Sequence, residues 1–221
     1  MKHIIFDCDG VLIDTEIVAA EVVVNWFQTQ ELQMTVNEFI VEHTGKMFSH
    51  ILRELMAAGQ LPADLDIQAT MDLLEPEVKN KMRPITGVKE VLESINLPKS
   101  VVSNSAVDYV DGALEKFGWA HYFEKPTFSA ELVEKGKPSP LVYQLAIDTV
   151  GVDKSELIAI EDSYTGVQAA LAAGIKTIGF LGGSHILHGH AERLESLGVA
   201  GLAKDHAELQ QLLADMLKKG H

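Results

Sequence analysis

Four acids stand in two tight pairs. Asp7 and Asp9 flank Cys8 and precede Gly10, and Glu161 and Asp162 are adjacent and precede Ser163. Each pair directly follows a short apolar run, His3–Phe6 in one case and Leu157–Ile160 in the other. A third run, Ser100–Val102, is followed by Ser103, Asn104 and Ser105. Ligands of open parallel sheets bind outside the carboxyl ends of the strands. Three such ends side by side would bring four carboxylates and several hydrogen-bond donors to one rim. That much negative charge requires a cation, and hard carboxylate oxygens suit Mg²⁺. Helix capping explains Glu161-Asp162 taken alone equally well, but it does not account for four acids at strand ends. If the first strand persists to residue 9, Asp7 and Asp9 project to the same side, with Gly10 permitting a sharp turn after them. Two neighbouring carboxylates with different environments can divide the work, one ionised as nucleophile or ligand and one holding a proton as general acid.

The elements that must position these groups alternate. The three apolar runs and a fourth, Lys176–Phe180, read as buried strands of a parallel sheet, with helices over roughly 106–118, 140–149, 164–173 and 205–218. Gly118 and Gly174 stand where helices should end, and Ser139-Pro140 reads as an N-cap with proline at the first helical position. The pattern predicts an α/β, doubly wound, parallel-sheet domain. One stretch departs from it. No strand is legible from about Glu16 to Arg83, whereas Met47, Ile51 and Leu55 repeat at helical spacing, as do Met71, Leu74, Val78 and Met82. Pro76 marks a kink or a start in the latter segment. Glu16–Gln28 is rich in valine, which favours strand, but its length without glycine or proline argues for helix. Trp26 and Phe27 belong to the core of this part. The expected organisation is a core of residues 1–15 and 84–221 interrupted by a helical insert, 16–83.

Composition narrows the function. The chain has 221 residues, is 47% hydrophobic and carries a formal net charge of −14. It can bury a sizeable core, and its field opposes binding to nucleic acid. An anionic small molecule remains accessible to it only if a local cation reverses the field in the site. Cys8 is the single cysteine, which excludes an intrachain disulfide. The sequence MKHIIFDCDG lacks the apolar segment of a secretory signal, and no apolar run is long enough to span a bilayer. The expectation is a cytoplasmic protein with no membrane partner, monomeric by default.

These residues also carry a resemblance. DCDGVLIDTE (7–16), VVSNS (101–105), GKPSP (136–140) and IEDSYTGVQAALAAG (160–174) resemble, in order and spacing, the four motifs of the haloacid dehalogenase superfamily. The helical insert after the first motif resembles the cap of the β-phosphoglucomutase-like phosphatases. The resemblance implies a Rossmann-like core with an α-helical cap and a Mg²⁺-dependent phosphatase of small phosphorylated metabolites, sugar phosphates such as 6-phosphogluconate among them. It assigns Asp7 as the nucleophile that becomes aspartyl-phosphate. Asp9 would be the general acid and base, and its main-chain carbonyl a metal ligand. Ser103 and the main-chain amide of Asn104 would hold phosphoryl oxygens, and Lys137 would neutralise nucleophile and phosphoryl group. Asp7, Asp9, Glu161 and Asp162 would form the metal site, Glu161 directly or through water. HTGKMF (43–48) would be the cap loop facing the substrate, with Gly45 as its hinge and Lys46 able to meet an anionic group.

Departures from the pattern discriminate subclasses. Dehalogenases of this superfamily lack an acid at the position of Asp9, so its presence favours phosphoryl transfer. Hexose-phosphate mutases carry Lys before the cap glycine and Arg three residues after it; this chain has Thr44 and Phe48. A phosphosugar mutase is therefore the alternative reading, and a phospho-acceptor module without turnover a third, opposed by the complete set Asp7, Asp9, Ser103, Lys137 and Asp162. Lys135 reads as a solvated charge. Cys8, between two acids, reads as a packing position whose thiolate is disfavoured. His185, His188 and His190 suggest a metal cluster, but they lack further ligands and read as a loop beside the active site, followed by a short helix from Ala191 to Leu197.

Overall fold

The computed structural model describes residues 1–43 and 46–219, the side chain of Lys219 excepted. Contacts divide the chain into two compact units, Met1–Ile13 with Pro84–His221, and Asp14–Arg83. The first unit opens with β1 (His3–Phe6), and the second follows at once with four helices: α1 (Thr15–Thr29), α2 (Val36–His43), α3 (Phe48–Ala57) and α4 (Ile67–Lys81).

In the helical unit, packing overrides local propensity. The valines of α1 lie in a helix because Val22, Val23 and Phe27 are buried against Ile51, Leu52 and Leu55 of α3 and Leu74 of α4. Apolar burial of this kind is worth roughly 1.5–3 kcal/mol per large side chain, more than a β-branched residue loses in a helix. Helix α2 was not expected, although its start is written in the sequence as a capping box. The Thr35 hydroxyl accepts from the Glu38 amide at 3.2 Å, and the Glu38 carboxylate accepts from the Thr35 amide at 2.7 Å. Helix α4 begins at Ile67, where the Asp66 carboxylate accepts from the Ala69 amide at 3.0 Å. Pro76 thus lies inside the helix and does not start it.

The remaining elements build the sheet unit: α5 (Val88–Ser94), β2 (Lys99–Ser103), α6 (Val107–Lys116), β3 (Phe128–Ser129), α7 (Leu141–Val150), β4 (Leu157–Glu161), α8 (Tyr164–Ala172), β5 (Lys176–Phe180), α9 (His190–Ser196), β6 (Gly201–Ala203) and α10 (His206–Lys219). The strands form one parallel sheet in the order β3-β2-β1-β4-β5-β6. The four strands and five helices expected outside the insert are all present. Strands β3 and β6, of two and three residues, are too short to show a period, and helix α5 was likewise not anticipated. Helix α7 starts one residue later than the Ser139-Pro140 signal suggests, with Pro140 at the N-cap. Among the described residues no helix is long and apolar enough to cross a membrane.

Two features of the sheet matter for function. Strand β1 is central, with Phe6 opposite Val101 of β2 on one side and Ile160 of β4 on the other. The strand order reverses between β1 and β4, which in such sheets opens a crevice at the carboxyl edge. The core below that crevice is sealed by side chains such as Ile5, Val102, Phe128, Tyr143 and Ala159, each at most 2% exposed.

Candidate active site

Strand β1 ends at Phe6, so the expectation that it carries Asp7 and Asp9 on one side is corrected. Asp7 keeps one more ladder bond, its amide donating to Ile160 O at 3.0 Å, and the chain then turns. The amides of Leu12 and Ile13 both donate to Cys8 O, at 2.9 and 3.1 Å, and the Gly10 amide donates to Ile13 O at 2.8 Å. Gly10 adopts φ +76°, and a β-carbon there would run into Asp162 Oδ2. The loop therefore needs glycine both for its backbone conformation and for the approach of the fourth motif. Cys8 is fully buried; burial, then Asp9 and Asp7, push its thiol well above its usual range, which agrees with a packing role.

Three of the four acids converge. Asp7, Glu161 and Asp162 are buried, and each offers an oxygen within 4.8 Å of the others. Lys137 is their counter-ion. Its Nζ donates to Asp7 Oδ1 at 2.6 Å, Glu161 Oε1 at 2.6 Å and Val102 O at 2.9 Å, which uses all three ammonium protons. Burial opposes the charge on Lys137, but Asp7 and Glu161 outweigh it and hold the ammonium above its ordinary range. Burial, followed by the field of Glu161, pushes Asp7 well above the usual carboxylate range, with Lys137 opposing. Three carboxylates around one ammonium are under-neutralised, and two negative charges remain for a divalent ion to meet. The donors are hard oxygens in a buried pocket, the chemistry that suits Mg²⁺.

Asp9 stands outside this trio. Its Oδ2 accepts from Ser105 Oγ at 2.7 Å and, more weakly, from Ser103 Oγ at 3.4 Å. Ser103, at the end of β2, is buried and accepts from the Ser105 amide at 2.9 Å. The Asn104 side chain is used structurally: its Oδ1 accepts from the Lys137 amide at 2.8 Å and its Nδ2 donates to Lys137 O at 3.1 Å. This reciprocal pair locks the third motif to the second. A β-carbon on Gly136 would lie 2.6 Å from Asn104 Oδ1, so the glycine before Lys137 is part of the lock.

Glu161 is held from several sides. Tyr143 OH, on α7, donates to its Oε1 at 2.7 Å, and Ser163 Oγ donates to its Oε2 at 3.3 Å. A β-carbon on Gly166 would run into this carboxylate. Asp162 is met by two of the three histidines of the 185–190 segment. His185 Nε2 lies 3.0 Å from its Oδ2, and His190 Nε2 lies 2.6 Å from its main-chain oxygen. The segment is a loop beside the acids, as expected, followed by α9 one residue earlier than anticipated. Its direct grip on Asp162 was not foreseen. Sequence reasoning missed Ser105 and Tyr143, and it placed His185 and His190 beside the active site without their contacts to Asp162. Ser105 lies within a recognised motif, a faint signal; Tyr143 carries none.

The helical unit contains a cavity of about 560 Å³ lined largely by apolar side chains, Phe39, Phe48, Met71 and Leu74 among them, with His43 and Lys46 as polar lining. Lys46 pairs with Glu54 at 2.8 Å. Thr44 and Gly45, the latter read as the hinge of the substrate-facing loop, lie outside the described residues.

Residues 4–180 match the profile of the haloacid dehalogenase-like hydrolase family, most of the chain. The chain belongs to the haloacid dehalogenase-like hydrolases. It is an enzyme of that family, and several of its relatives are named phosphatases. It is 26% identical over 190 residues to the 6-phosphogluconate phosphatase of Escherichia coli (strain K12), covering 84% of this chain and 85% of that one. It is 27% identical over 235 residues to the phosphorylated carbohydrates phosphatase of Thermotoga maritima, covering 98% and 100%. Among solved structures it resembles a haloacid dehalogenase family hydrolase of Deinococcus radiodurans R1 with bound phosphate and sodium, at a TM-score of 0.84 and 27% identity, covering 97% and 96%. The six-stranded parallel sheet with flanking helices is the α/β fold shared by this family of hydrolases.

Proposed function

We propose that this hydrolase removes phosphate from small phosphorylated carbohydrates, using Asp7 as nucleophile. The observation that carries the reading is the buried Lys137 ammonium clasped between Asp7 and Glu161, with Asp162 alongside, at the switch point of the sheet. Phosphoryl transfer needs positioning and neutralisation of charge more than any covalent device, and this cluster supplies both. The names of the relatives favour sugar phosphates as the substrate class.

In the first half-reaction an Asp7 oxygen attacks phosphorus, a P–O bond to Asp7 forms, and the P–O bond to the sugar oxygen breaks. Asp9 gives its proton to that oxygen, so the alcohol leaves neutral. In the second half-reaction Asp9 takes a proton from water, the water oxygen bonds to phosphorus, and the bond to Asp7 breaks. Inorganic phosphate is released and both carboxyl groups return to their starting states. Ser105 and Ser103 aim the Asp9 carboxyl group. Ser103 and the Asn104 amide bind phosphoryl oxygens, and Lys137 spreads its charge over the nucleophile and the phosphoryl group. The carboxylates of Asp7, Asp162 and Glu161 and the main-chain carbonyl of Asp9 would hold Mg²⁺. That ion, when bound, offsets the negative charge of the transferring group. By the family resemblance the helical insert, 16–83, acts as the cap that selects the substrate, with Lys46 able to meet an anionic group.

Purified protein should release phosphate from part of a panel of sugar phosphates with Mg²⁺ present and stop when a chelator is added. Asp7→Asn should abolish turnover on every substrate. A fully active Asp7→Asn enzyme, or activity indifferent to chelation, would contradict the reading.

A further inference from the structure

His185 performs no step in the reaction above, yet it is buried in the sheet unit. It is 6% exposed and sits in the loop after β5, with Nε2 3.0 Å from Asp162 Oδ2. The surroundings are shaped for it. A β-carbon on Gly183 would lie 2.7 Å from His185 Cε1 and 2.8 Å from Nδ1, and a β-carbon on Gly10 would lie 3.0 Å from Cε1 while colliding with Asp162 Oδ2. Two glycines from different loops thus clear the volume occupied by one imidazole–carboxylate pair. The same aspartate is gripped at its backbone, where its carbonyl oxygen accepts from His190 Nε2 at 2.6 Å.

We propose that His185 is a positioning residue for divalent-cation binding: its Nε2–H donates to Asp162 and fixes that carboxylate in the orientation that, with Asp7 and Glu161, holds the ion. The terminal torsion of an aspartate is broad, so a lone carboxylate would sample orientations that face away from the other two. A fixed donor on one oxygen removes that freedom, and outer partners of this kind typically contribute 10–100-fold to metal affinity. The inference rests on the phosphatase reading only in taking the acid cluster as the cation site.

The test is a calorimetric titration of the full chain with Mg²⁺ alone, in the absence of substrate. His185→Ala should weaken Mg²⁺ binding by about 10–100-fold. His185→Gln, whose amide nitrogen can reach the position of Nε2, should stay within a few-fold of wild type. Circular dichroism establishes that each variant is folded. If His185→Ala fails to fold, His185→Asn, too short to reach Asp162, takes its place with the same expected loss. Unchanged or tighter Mg²⁺ binding in the folded Ala or Asn variant would overturn the inference, and so would a Gln variant no better than Ala. The two ideas fail separately. A wild-type enzyme that binds Mg²⁺ and releases phosphate, with an Ala variant of equal affinity, leaves the phosphatase reading intact and removes only the role of His185. A wild-type chain that binds no Mg²⁺ overturns both.

Discussion

Lys137 Nζ lies 2.6 Å from Asp7 Oδ1, and neither side chain is more than a tenth exposed. Both charges have left water, so each depends on the other. Lys137→Ala would leave Asp7 and Glu161 facing each other without their ammonium. We expect a fall in stability of about 3–5 kcal/mol in urea denaturation with chelator present, and part of that loss should return when Mg²⁺ is added. Phosphatase activity should drop by about 10²–10³-fold, as when one preorganised donor to a transition state is removed.

Tyr143 supports the same cluster through a different bond. Its hydroxyl donates to Glu161 Oε1 at 2.7 Å from a fully buried ring. Tyr143→Phe keeps the ring and removes only the donor. A hydrogen bond to a charged group is worth about 1.5–3 kcal/mol, and the denaturation midpoint in urea should shift accordingly with no change in slope.

Asp9 as proton donor predicts a dependence on the leaving group. Asp9→Asn should slow hydrolysis of alkyl phosphates, whose leaving oxygen needs a proton, by about 10²–10⁴-fold. Aryl phosphates with acidic leaving groups should lose much less in the first half-reaction. Burst kinetics on p-nitrophenyl phosphate would separate that step from hydrolysis of the intermediate. An equal loss on both substrate types in the first step would contradict the role.

Gly166 lies in helix α8, where alanine ordinarily favours a helix by about 1 kcal/mol. Here a β-carbon would meet the buried Glu161 carboxylate. Gly166→Ala should therefore lower the melting temperature, and Mg²⁺ should bind more weakly because Glu161 must move. A stabilised variant with normal affinity would refute this packing argument.

Stability should also depend on pH through His206. The ring is 1% exposed, its Nδ1 donates to Thr86 O at 3.0 Å, and it lies 4.6 Å from the Phe180 ring. Burial lowers its pKa below the ordinary 6.5. On acidification the unfolded chain takes up this proton first, so stability falls below about pH 6.5 and continues to fall until the folded ring titrates. His206→Gln should flatten that slope in thermal melts recorded from pH 7.5 to 5, and a parallel curve would exclude the effect.

The sequence alone determined the parts whose physics is local or periodic. Strand-length apolar runs, helical spacing, and acids and hydroxyls directly after strands were enough to place the alternating α/β pattern and the helical character of the insert. They also placed Asp7, Ser103, Glu161 and Asp162 at strand ends. Lys137 was identified by the motif it resembles. Tertiary structure decided what depends on approach between distant segments. Strand β3, of two residues, and strand β6 exist because neighbouring strands recruit them. The valines of α1 are helical because a core awaits them. The Asn104 side chain turns out to fasten the Lys137 loop, Ser105 supports Asp9, and Tyr143 and His185 reach the acids from elements far along the chain. Hydrogen bonds between residues eighteen or more positions apart leave no periodic trace in a single sequence. Only the fold brings His185 and Asp162 to 3.0 Å.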